Sequence, residues 1–120
     1  MKIVDLMTFL TMPAGTLFSK YQPCVFDNFC IKGDNIGEMD FGYQDLVGAV
    51  DGKYEGEVAF LLEDSQYNGT SVPLDFDCGS RDGCFDEKQL FAVWELQDFE
   101  QLLARLFEAR VDMQKTTPPQ

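Results

Sequence analysis

Apolar residues recur along this chain at two periods, and the two periods separate helices from strands. Ile3, Leu6, Met7 and Leu10 stand at helical spacing and predict a short amphipathic helix at the start, closed by Pro13 and Gly15. Thr16–Tyr21 is rich in β-formers and predicts a strand. Val25-Phe26 and Phe29–Ile31 flank Asp27-Asn28, residues that tolerate the positive φ of a tight turn; this predicts a hairpin ended by Gly33. Asp40–Gln44 reads as a strand entering a helix over 45–50, and Glu57–Gln66 as a short helix closed near Asn68-Gly69, with a strand as the alternative.

The second half has clearer periods. Val72, Leu74 and Phe76 alternate with Pro73, Asp75 and Asp77, predicting an edge strand with one buried face. Residues 79–83 form a polar loop, and Leu90–Trp94 is apolar on both faces, as a central strand must be. Phe99, Leu102, Leu103, Leu106 and Phe107 mark a helix, with Asp98 placed to cap it. Together these elements predict an α+β fold: an antiparallel sheet with a short N-terminal helix and a longer C-terminal helix packed on it. They make one domain over residues 1–115, with 116–120 as a flexible tail.

Composition supports a folded core, with 45% hydrophobic residues and eleven phenylalanines among 120. Charge changes the picture more. The formal net charge is −12, and between Gly33 and Asp98 sixteen acids face three bases, Lys53, Arg81 and Lys88. Such a body repels phosphate backbones, so DNA or RNA binding is not expected, although a small anion still fits where a few cations converge. The opening apolar stretch is short and interrupted by Asp5, and no run is long enough to cross a bilayer; a cytoplasmic protein is expected. The four cysteines, Cys24, Cys30, Cys78 and Cys84, fall into two C-x5-C pairs, a spacing unusual for zinc. They are expected to be reduced core residues.

Catalysis finds little support. The chain has no histidine, the commonest general base, and Gly79 and Gly83 bracket no phosphate-loop pattern. The acids Asp75, Asp77, Asp82, Asp86 and Glu87 lack the ligand spacing of a calcium loop. The expectation is a protein that binds without catalysing, with no metal and no cofactor. Two places suit an anionic ligand with an aromatic base. Arg105 and Arg110 lie on the C-terminal helix, about 140° apart around its axis, so one pocket would need both from different subunits. Arg81 and Phe85 set a cation beside an aromatic ring in one loop. Salt bridges from Arg105 and Arg110 to nearby acids such as Glu100 or Glu108, and a solvated Arg81 beside a core Phe85, are the plainer readings.

The segments Met12–Cys24, Ile31-Lys32-Gly33, Asp40–Gln44, Asp75-Phe76-Asp77, Arg81-Asp82-Gly83 and Phe85 to Trp94 resemble small phage-encoded proteins, among them the anti-Thoeris sponge family. The resemblance implies a non-catalytic protein that binds a cyclic ADP-ribose isomer made by a bacterial defence enzyme. It also implies a homo-oligomer, a dimer or a hexamer, and in some members a second site for cyclic oligonucleotides. Carried onto this sequence, it assigns stacking to Phe85 and phosphate contacts to Arg105 and Arg110, with Arg81 and Lys20 as further cations. In the family the helix arginines stand one turn apart; here they are five residues apart. The rival expectation is an acidic inhibitor or DNA mimic that covers a basic patch on a host defence nuclease.

Overall fold

The first apolar run divides between two elements. In the computed structural model, which describes residues 1–54, 56–77, 79–83 and 86–116, Lys2–Asp5 is a strand (β1) and only Leu6–Leu10 is helical (α1). Asp5 ends the one and caps the other: its carboxylate accepts the Thr8 N–H at 2.8 Å. Leu6, Phe9 and Leu10 turn inward, while Ile3 and Met7 stay exposed.

Leu17–Gln22 (β2) turns at Pro23-Cys24 into Val25–Phe26 (β3), with Tyr21 opposite Phe26 and Gln22 opposite Val25. Cys24 takes the positive φ of 65° that this two-residue turn needs. Asp27-Asn28 is therefore not the hairpin turn. Asn28 is held instead to β2, its side-chain oxygen accepting the Lys20 N–H and its own N–H donating to Ser19 Oγ. Cys30–Ile36 (β4) then pairs the first half of β2, running past Gly33, and Asp40–Asp45 (β5) pairs β4 across a bulge between Lys32 and Asn35.

No helix forms over 45–50. Asp45 accepts the Val47 N–H in a side-chain turn, and Val50 makes an isolated bridge to Leu74. That bridge is all that remains of the strand expected at 72–76: Asp75 takes the Asp77 N–H, bending the chain, and Leu74 and Phe76 are exposed. Between these loops Glu57–Asn68 (α2) is helical and closes on Gly69 in the left-handed conformation. Ser80–Arg81 (β6) pairs β5, so part of the expected loop is an edge strand.

Leu90–Val93 (β7) lies between β1 and β2, the central position its apolar faces predict. The sheet order is β1-β7-β2-β4-β5-β6, with β3 beside β2, and every pairing is antiparallel. Leu96–Thr116 (α3) completes an α+β fold of antiparallel sheet, short N-terminal helix and longer C-terminal helix. Asp98 sits inside its first turn and reaches back to the Glu95 N–H, while also taking the Met1 ammonium.

One face of the sheet carries the core. Phe18, Cys30, Phe41, Phe91 and Val93 pack under Leu6, Phe9 and Leu10 of α1. Phe9 stacks on Phe91 at 4.2 Å and meets Phe18 and Phe41 edge-on. On the opposite face Trp94 meets Phe26 and Phe29, a smaller aromatic cap over β2 and β7. Cys30 is a core cysteine whose thiol burial pushes up to about 12, but Cys24 is exposed, because it serves the turn. Cys78, Cys84 and the tail 117–120 lie outside the described residues.

Candidate functional site

Beyond the aromatic cap, no described element packs on the face opposite α1 over β4, β5 and β6. Side chains alternate along a strand, so Phe41 points to the core and Gly42 and Gln44 to the other face. Register brings Ile31 opposite Gln44 and Arg81 opposite Gly42 on that same face. Gly33, Gly42 and Gly79 put no side chains there, and the result is an open groove of about 400 Å³, walled by Ile31, Ile36, Gln44 and Arg81. The size suits a small molecule. A methyl group on Gly33 would meet the Gly42 carbonyl oxygen at 3.1 Å, so the close backbone approach of β4 to β5 favours glycine there. Gly42 itself has room, with nothing nearer than 3.7 Å.

Two cationic residues stand along this groove, and one of them, Arg81, turns its charge toward it. The Lys32 ammonium is buried on the core side, donating to the Gly33 carbonyl and to Asn35 Oδ1 at 2.8 Å and standing 5.7 Å from the centre of the Phe9 ring. Burial pulls its pKa below the usual lysine value, with Asp34 opposing. Its role is structural. Arg81 instead gives its Nε–H to the buried carboxylate of Asp40, which also accepts the Gly83 and Phe41 N–H groups at 2.9 and 2.8 Å. The rest of the Arg81 side chain is exposed, so its terminal nitrogens can reach a ligand from a fixed stem. Hydrogen bonding from Arg81 holds the Asp40 carboxyl below the ordinary carboxylate range. The Gln44 side-chain nitrogen is shut from solvent and has no hydrogen-bond partner among the described residues.

The structure does not gather the cations expected from the sequence. Lys20 lies opposite Phe91 on the core face and binds Asp82 at 2.6 Å, so it and Arg81 are on opposite sides of the sheet. Arg105 and Arg110 are exposed on α3, which leaves the sheet from β7, four strands along from β6. At a strand spacing of about 4.8 Å that is roughly 19 Å before the helix has begun. Phe85 lies outside the described residues. Among the described residues of the expected set, Arg81 alone lines the groove. Gln44, Ile31 and Ile36 escaped notice because they carry no motif; glycines inside strand patterns, Gly33 and Gly42, were the available signal.

Among the described residues no group of three or more His, Cys, Asp or Glu is placed to hold a metal ion, and no helix is long and apolar enough to cross a membrane. Compared with protein-family models, with curated proteins and with solved structures, the chain matches none.

Proposed function

We propose that this chain is a non-catalytic binding protein whose groove over β4, β5 and β6 takes a small anionic nucleotide and releases it unchanged. One observation carries the reading. In a chain of net charge −12, the ten described residues lining this groove include no carboxylate, and one of them, Arg81, presents a charged group to it. An exposed guanidinium in a hollow on so acidic a body favours an anion small enough to avoid the surrounding acids. The Asp40-anchored guanidinium supplies a fork for a phosphate, and the flat glycine floor leaves room for a ring. Similarity to the phage anti-Thoeris sponges narrows the ligand to a cyclic ADP-ribose isomer. Its capture in the host cytoplasm during infection would end a defence signal by mass action.

The test is thermal denaturation with cyclic ADP-ribose isomers, cyclic di- and trinucleotides, NAD and ADP-ribose, followed by chromatography of the recovered ligand. One cyclic nucleotide is expected to raise Tm and to return intact. The shift disappears in Arg81→Gln, and also in Gly42→Leu, which fills the groove beside Arg81. A recovered product would make the protein an enzyme. No shift with any nucleotide would leave the acidic inhibitor, whose sixteen acids over 33–98 would then be probed against basic protein partners.

A further inference from the structure

From Leu103 onward α3 runs with its apolar side chains exposed: Leu103 and Leu106 at 55%, Phe107 at 63% and Met113 at 69%. In folded proteins most of a helix's stability comes from packing its apolar face. The exposed residues are ordered. Leu96, Phe99, Leu103, Leu106, Arg110 and Met113 follow one another at steps of three, four, three, four and three. That is a heptad seam, with Leu96, Leu103 and Arg110 at the first position and Phe99, Leu106 and Met113 at the fourth.

We propose that α3 pairs antiparallel with α3 of a second copy of this chain. Charge decides both the occupant and the direction. In a parallel pair Arg110 would meet Arg110 inside the seam, two like charges in a desolvated layer. In the antiparallel register centred between Ala104 and Arg105, Leu103 meets the partner's Leu106, Leu96 meets the partner's Met113, and Arg110 meets the partner's Phe99. The one charged seam residue then lies against an aromatic face rather than another cation. The flanks agree. Residues 95–104 hold Glu95, Asp98 and Glu100 and no base, whereas 105–115 hold Arg105, Arg110 and Lys115 with Glu108 and Asp112. Antiparallel packing sets the acidic half on the half that carries the cations. The partner's Met113 end also reaches the apolar hollow at the helix root, lined by Pro13, Leu17, Trp94, Leu96 and Phe99. Arg110 becomes a seam residue and not a phosphate contact.

The full chain is expected to sediment as a dimer at micromolar concentration, and Leu103→Glu with Leu106→Glu to sediment as a monomer. Both leucines are more than half exposed, so that variant should remain folded, which cooperative unfolding in urea checks. Direction is read by a short amine-reactive cross-linker and peptide mapping. Within one chain Lys115 stands 17 residues along the helix from Asp98, to which the Met1 amine is bonded, about 26 Å at 1.5 Å per residue. Links from Lys115 to Met1 or Lys2, found in the dimer band only, are expected. A monomeric wild type, a dimer indifferent to the two glutamates, or links joining Lys115 to Lys115 without links to Met1 or Lys2 would overturn the proposal.

Discussion

The sheet with α1 and the pair α2 and α3 are built from equally apolar sequence, yet only the first covers its own hydrophobic surface. Phe9, Phe18, Phe41 and Phe91 are at most 1% exposed, whereas α2 contains no buried residue and Phe60, Tyr67 and Phe107 stand in solvent. The radius of gyration, 16.8 Å, exceeds the roughly 14 Å of a compact chain this long, as expected when helices do not pack back. The difference teaches that amphipathic spacing fixes which face of a helix is apolar but not what covers it. In β2 and β7 the neighbouring strands and α1 supply the cover. For α3 the seam itself, with an arginine at one layer, points outside the chain.

Truncating a ring on each side gives the largest contrast. Phe9→Ala removes a ring in contact with three others and should cost about 3–5 kcal/mol in chemical denaturation. Phe107→Ala, 63% exposed, should cost under about 1 kcal/mol in the isolated chain. Equal losses at the two positions would mean that α3 is packed on the sheet as tightly as α1.

Two glycines sharpen the comparison at smaller scale. Adding a methyl at Gly33 meets backbone, the Gly42 oxygen at 3.1 Å and carbon at 3.2 Å, within a hydrogen-bonded sheet that must shift to admit it. At Gly52 the contact is closer, 2.5 Å, but it is with one methyl of Val58, itself partly exposed on α2. Gly33→Ala is therefore expected to cost about 1–3 kcal/mol, and Gly52→Ala less than half of that despite the shorter distance. The reverse order in urea midpoints would break the view that the α2 region is free to adjust.

The same division explains what was legible in the sequence. Leu90–Val93 and Leu17–Gln22 are strands because their apolar residues leave no polar face or alternate, and tertiary pairing agrees with local preference. Leu6–Leu10 was legible only in part, since Ile3 fits a helical period and a strand edge equally well until Asp5 caps the turn. The alternation of Val72, Leu74 and Phe76 misled because Asp75 captures the backbone N–H of Asp77 and bends the segment. The Pro23-Cys24 turn was hidden by a residue that rarely takes positive φ. As for the site, Arg81 was visible as a cation in a loop, but its anchor Asp40 is 41 residues away in sequence, and no local pattern joins them.

That anchor gives a pH signature confined to the sheet half. The Asp40 carboxyl titrates lower in the folded chain than its ordinary 3.8, chiefly through the bond from Arg81. Its stabilisation is therefore complete above that ordinary value and is lost as pH falls through the lower, folded value. Asp40→Asn should lower the urea midpoint at pH 7, and its deficit should shrink on acidification below about 4. Asp112, paired with Lys115 at 4.0 Å and about 70% exposed on α3, should leave the midpoint unchanged when replaced by Asn. An Asp40→Asn deficit constant from pH 7 to pH 2 would mean that the carboxylate charge contributes nothing.

Lys32 should give the smallest effect, and one of opposite sign. It is 3% exposed, and burial disfavours its ammonium although Gly33, Asn35 and the Phe9 ring surround it. Because its folded pKa lies below 10.5, the unfolded chain holds the proton more tightly between those two values. Unfolding then takes up a proton, so the contribution of Lys32 to stability rises as pH climbs through that window. Lys32→Met keeps the length of the stem and removes the titration. Plotted against pH from 7 to 10.5, the urea midpoint of the wild type should gain on that of the Met variant as alkalinity increases. Parallel curves would show that the ammonium is as well solvated under α1 as in water, and that the sheet half is less closed than its phenylalanines make it.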